Sequence, residues 1–217
     1  MKKLLSILLV LCLLCPAALA QSGNVSVAES HIHEYTEGEN RIVHAVFVLE
    51  NRGDQPLLPA ISSVVLMNKA GAVFMEDANP LYPMVIAPGA RGYVYGIFTL
   101  DAQAQQQYDH AELYMALAQY SKDEQQLVKD IAAQIVYPQV ESTVSGDTVT
   151  MQIKNTTAID IVTGGVLMLF RSEAGEIVGA AERYVTSMPR GESAELTESF
   201  TLAPFSTVEI ICYSLPM

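Results

Sequence analysis

The chain has 217 residues, half of them hydrophobic, and sets 12 Lys+Arg against 24 Asp+Glu for a formal charge of -12. Such an acidic balance excludes nucleic acid and anionic membranes as partners, since both are held by clustered Lys and Arg. Of three cysteines, two fall within the first fifteen residues, so no disulfide framework is expected.

The first twenty residues read as a secretory signal peptide: Lys2-Lys3, an apolar core from Leu4 to Leu14, and the small-residue cleavage site Ala18-Leu19-Ala20. That core is too short for a comfortable membrane span. Cys15 raises a lipidation alternative, but Leu13-Leu14 stand where a lipidation site needs a small residue, so cleavage after Ala20 is the reading taken. Losing Lys2 and Lys3 leaves 10 Lys+Arg against 24 Asp+Glu, a charge of -14, with Cys212 as the lone cysteine. No later apolar stretch reaches spanning length. The expectation is a soluble, exported protein: extracellular, cell-surface or periplasmic.

Residues 24–35 form a first strand region, followed by the turn Thr36-Glu37-Gly38-Glu39-Asn40 and a strand over 41–50. Gly53-Asp54-Gln55-Pro56 breaks that strand. Residues 64–67 are apolar on both faces, as a central strand is, and end in the turn Asn68-Lys69-Ala70-Gly71. Tyr82, Pro88-Gly89 and Phe98-Thr99-Leu100 follow. About a hundred residues later the same marks return in the same order. They are Asn155, the apolar run 166–170, Ser172-Glu173-Ala174-Gly175, Tyr184, Pro189-Arg190-Gly191 and Phe200-Thr201-Leu202. The offset is 104 residues at Asn51/Asn155 and Gly71/Gly175, and 102 at Tyr82/Tyr184, Gly89/Gly191 and Leu100/Leu202, so one two-residue deletion aligns them. A period near 100 residues is domain-sized rather than a solenoid repeat.

Residues 101–136 are the awkward segment, because Ala-Gln-Ala-Gln-Gln-Gln and Leu127-Val128-Lys129-Asp130-Ile131-Ala132 favour helix. The repeat overrules propensity in part: residues 205–213 close the second copy as a strand, so 111–120 should close the first. A short helical turn within 101–108 is retained. The domain plan is therefore signal peptide 1–20, sandwich 21–120, linker 121–129 and sandwich 130–217. Six or seven short strands per copy, separated by Gly, Pro and Asn turns, give an all-β fold class: two tandem antiparallel β-sandwich domains.

An extended strand ending in Asn, a hydrophobic strand, an acid-or-amide turn closing in Gly, and then a Pro-Gly turn resemble the bacterial secreted immunoglobulin-like modules of the FxLYD type. Leu66-Met67-Asn68 keeps the Leu of the eponymous motif and has Asn for its Asp, while Phe170-Arg171-Ser172 keeps little of it. The resemblance implies an immunoglobulin-like fold in an exported protein with no chemistry attached.

The residues agree on the last point. There is no nucleophile elbow, phosphate loop, dinucleotide fingerprint, His-Glu-x-x-His or calcium-loop spacing, and the second copy has no histidine to serve as a base. No catalysis and no cofactor are expected. Cys212 alternates with Val208 and Ile210 on one strand face and reads as a buried thiol. His31 and His33 share a strand face with Glu29 and Tyr35, and His44 lies on the next strand. Imidazoles converging from paired strands bind zinc or copper, which makes an exported metal-binding protein the alternative function.

A sharper candidate comes from comparing the copies. In the second, Val149, Met151, Ile153, Leu196 and Phe200 face inward, leaving Thr148, Thr150, Gln152, Lys154, Glu195, Thr197 and Ser199 outside. The same phase in the first copy puts Ala45, Phe47 and Leu49 inside, and His44, Val46, Val48, Glu50, Tyr93, Tyr95 and Ile97 outside. An apolar, tyrosine-bearing outer face marks a contact. The binding face Val46, Val48, Tyr93, Tyr95 and Ile97 is expected to dock on the second domain, a second copy or an extracellular protein, unless the 101–108 loop covers it. The functional expectation is a non-catalytic exported binding or assembly module acting through that face.

Overall fold

The computed structural model describes residues 25–79, 81–117, 120–202 and 204–214. The signal peptide reading and Cys15 lie outside the described residues. The architecture is all-β, with twelve strands in four small antiparallel sheets and two helices among the described residues.

The N-terminal half contributes β1 (Val25–Glu37), β2 (Asn40–Asn51), β3 (Pro59–Asn68), β4 (Val73–Asp77), β5 (Arg91–Leu100) and β6 (Tyr108–Leu117). They pair as β1-β2-β5 and β4-β3-β6. The C-terminal half contributes β7 (Gln139–Ser145), β8 (Thr148–Lys154), β9 (Ile161–Arg171), β10 (Ile177–Met188), β11 (Ser193–Ser199) and β12 (Thr207–Ser214). Here the sheets are β7-β8-β11 and β10-β9-β12. Strand for strand, the second half repeats the pairing of the first. The two runs that are apolar on both faces, in β3 and β9, occupy the centres of their sheets.

Alternation builds each core. Val43, Ala45, Phe47 and Leu49 of β2 meet Val64 and Leu66 of β3 and Ala111 and Met115 of β6. Val149, Met151 and Ile153 of β8 meet Val166, Met168 and Phe170 of β9 and Cys212 of β12. Two antiparallel sheets thus enclose one dry cluster in each half, as period-2 patterning requires.

Asn51 and Asn155 lock the equivalent corners. The Asn51 carboxamide donates to the carbonyls of Gln55 (2.8 Å) and Ile86 (2.9 Å) and accepts from the Gly53 N–H (3.0 Å). Asn155 donates to Ile159 (2.9 Å) and Met188 (2.8 Å) and accepts from the Thr157 N–H (3.1 Å). Both side chains are fully buried, and the bonds to Ile86 and Met188 are buried with them. The nearby Pro-Gly turns end on Gly89 and Gly191 at φ +72 and +83, where a side chain would be strained.

Helix replaces strand or linker at two places. α1 (Ala102–Gln107) is capped by Asp101, whose side chain accepts from the Gln103 and Ala104 N–H groups, as the retained helical turn anticipates. α2 (Lys122–Gln134) runs across the expected boundary between a linker ending at 129 and a second copy opening at Asp130. Ser121 and Glu124 form a reciprocal capping box, and Gln126 donates to Asp130 one turn later at 2.8 Å. Propensity wins because no strand pairs with this segment, and regular β structure resumes only at Gln139. No helix among the described residues is long and apolar enough to cross a membrane.

Candidate functional site

The outer face of β1-β2-β5 is a grid set by strand register. Glu29, Val48 and Tyr93 form one row, followed by His31, Val46 and Tyr95, and then by His33, His44 and Ile97. Its apolar centre is not exposed. Val46, Val48, Tyr93 and Tyr95 are buried in a third cluster with Leu167 and Leu169 of β9, Ile177 and Ala180 of β10, and Tyr213 of β12. The outer face of one half therefore lies on the outer face of β10-β9-β12, and the covering is done by these strands rather than by the 101–108 loop. Ile97 departs from its companions: it is 41% exposed at the corner of the grid. It is absent from the buried cluster, and its N–H is taken by the Asp77 carboxylate at 3.0 Å.

Tyr82 completes the seam from the segment between β4 and β5. Its backbone exchanges two 2.8 Å hydrogen bonds with Tyr93, which seals the free edge of β5 and turns the phenol into the interface. The Tyr82 hydroxyl donates to the Glu182 carboxylate on β10 at 2.5 Å. Its ring lies 5.7 Å from Tyr95 and, edge-on, 6.4 Å from Tyr213. Edge-on and tilted aromatic pairs add directional preference to burial. Burial raises the Tyr82 and Tyr213 hydroxyls above the usual phenol range, and the Glu182 charge raises them further. Tyr95 is pushed up to about 12 by burial and then by Glu182. All three are neutral donors at ordinary pH.

The histidines frame one flank. His31 Nε2 lies 3.1 Å from Glu29 Oε2, and Arg91 donates to the other Glu29 oxygen at 2.9 Å. The His31 hydrogen bond holds the Glu29 carboxyl below its usual range, with Arg91 adding to the effect and partial burial opposing it. His33 pairs with His44 across the strands. His44 is 2% exposed, its Nε2 3.5 Å from the Tyr35 hydroxyl and its Nδ1 without a partner. The Tyr35 hydroxyl also reaches the Thr201 carbonyl in the other half at 3.3 Å. Among the described residues no three His, Cys, Asp or Glu side chains are placed to hold a metal ion. His31, His33 and His44 thus share a face without closing into a ligand set, because His31 is turned to Glu29 and His44 is sunk in the seam.

Sequence reasoning did not single out Tyr82, Leu167, Leu169, Glu182 or Tyr213 as contact residues. The signal was present in β9 and β12: strands that are apolar on both faces need a second cover beyond their own core. Cys212 lies on the core side, and burial pushes its thiol up to about 12, which leaves it inert. Compared with protein-family models and with curated proteins, the chain matches none.

Proposed function

We propose that the protein is a non-catalytic exported assembly module, made of two tandem immunoglobulin-like sandwiches of the FxLYD kind. In this reading the apolar-tyrosine face of the first acts in cis, fixing it to the second. The observation that carries the reading is the burial of Val46, Val48, Tyr93 and Tyr95 against Leu167, Leu169 and Tyr213. The tandem part is supported by the recurrence of sheet order and of the Asn51 and Asn155 corners.

Magnitudes favour a fixed unit over beads on a string. Each fully buried aliphatic side chain contributes about 1.5–3 kcal/mol, so Val46, Val48, Leu167 and Leu169 outweigh exposed ion pairs worth about 0–1 kcal/mol each. The exposed face of β7-β8-β11 is the opposite in character. Thr148 meets the Ser199 hydroxyl at 2.7 Å and Thr150 the Thr197 hydroxyl at 3.1 Å, a polar surface that offers no second greasy seat. That polar face is unlike the apolar seam between the two halves.

The double variant Val48→Thr with Tyr95→Thr tests this. Far-ultraviolet circular dichroism should keep its strand signal while small-angle scattering shows a larger radius of gyration. An unchanged radius with intact strands would remove the cis role of the face.

A further inference from the structure

The seam contains two buried polar atoms that nothing satisfies, His44 Nδ1 from β2 and Glu182 Oε1 from β10. They are the titratable members of the unpartnered set among the described residues, whose other members are serine hydroxyls. An orphan buried in an interface costs free energy only while the interface is closed, since opening returns it to water. We propose that the seam is an acid-operated latch, closed while His44 is neutral and released when His44 takes a proton. The inference rests on the cis docking of the two halves described under the proposed function.

The surroundings of His44 decide the direction. From β10 the nearest backbone is Gly179, where even a Cβ would stand 3.1 Å from Nδ1, with Leu202 alongside; neither can accept a proton's charge. From β1 the ring faces Tyr35 and His33, the first a neutral hydroxyl and the second a like charge once protonated. From β5 it faces Ile97. Glu182 lies further along β10, engaged by Tyr82. Among the described residues no carboxylate bonds the imidazole, so an imidazolium there would be buried without a counter-charge, which folded structures do not tolerate.

Burial first, and His33 second, lower the His44 pKa from the usual 6.5 to about 4. A lowered pKa in the closed state means closure is fully favoured above 6.5 and loses stability as pH falls from 6.5 toward 4. Linkage between those two values gives a rise of about 30-fold in the open fraction between pH 7.5 and pH 5.

The test places a thiol in the seam with Leu169→Cys and uses native Cys212, in the core of the same half, as the internal control. Both are labelled with 4,4′-dithiodipyridine in the full exported chain, with rates normalised to the denatured chain at each pH. The introduced thiol should label about 30-fold faster at pH 5 than at pH 7.5 while Cys212 stays protected. In the His44→Gln background the rise should vanish, and in His33→Gln most of it should persist. If His44→Gln fails to fold, proton NMR of the His44 ring supplies the decision: its titration must coincide with seam opening. A seam equally closed at both pH values overturns the latch, as does an equal rise in His44→Gln or parallel exposure of Cys212. A seam thiol that labels freely at pH 7.5 overturns the cis docking itself, so the two failures are distinguishable.

Discussion

A Cβ on Gly96 would stand 2.7 Å from the Cβ of Val64, so β5 and β3 approach each other across the first core more closely than any side chain at 96 permits. Val64 is fully buried on the central strand of its sheet. Gly96→Ala is expected to force the two sheets apart at a cost of about 1–3 kcal/mol. Urea denaturation should show the loss as a lower midpoint with an unchanged slope.

The two asparagine corners predict paired effects. Asn51→Ala removes one donor from the Gln55 and Ile86 carbonyls, the latter keeping the Leu57 N–H, and Asn155→Ala removes one from Met188 and from Ile159, which keeps the Thr157 hydroxyl. Each hydrogen bond lost contributes about 0.5–1.5 kcal/mol net, so both variants should be clearly destabilised. Asn51→Asp gives no rescue, because a carboxylate accepts from Gly53 but cannot donate to the carbonyls. Chemical denaturation of the three variants checks this, and a mild Asn51→Asp would show that the donated bonds carry little weight.

At the seam, Tyr82→Phe takes the phenol donor from Oε2 of the half-buried Glu182 carboxylate, whose Oε1 already has no partner. Glu182→Gln removes the charge instead. A double-mutant cycle on the two should return a coupling of about 1–3 kcal/mol, the range for a hydrogen bond to a charged group losing one partner. Additive losses would mean that the pair packs without communicating.

Cys212 should be silent in the native protein at pH 8, since its thiol is buried and pushed up to about 12. Labelling with a disulfide reagent is expected to need denaturant and to follow the unfolding curve. Fast native labelling would place the thiol on the surface.

By itself the sequence determined the β character and the inward phase of β2, β5, β8 and β11. The reason is that these follow from period-2 alternation and from turns that only Gly and Asn fill. It also marked Val46, Val48, Tyr93 and Tyr95 as an outer face too apolar to stay wet. Helix α2 escaped the repeat argument because local capping at Ser121 and Glu124 decides a segment that no strand pairs with. Only the tertiary structure decided what covers the greasy face, because alternation fixes which side of a sheet a residue takes and not what lies opposite. Ile97 is left outside, Tyr82 is brought to Glu182, and His44 is buried without a counter-charge by the offset at which two sheets meet, a relation between residues some hundred positions apart.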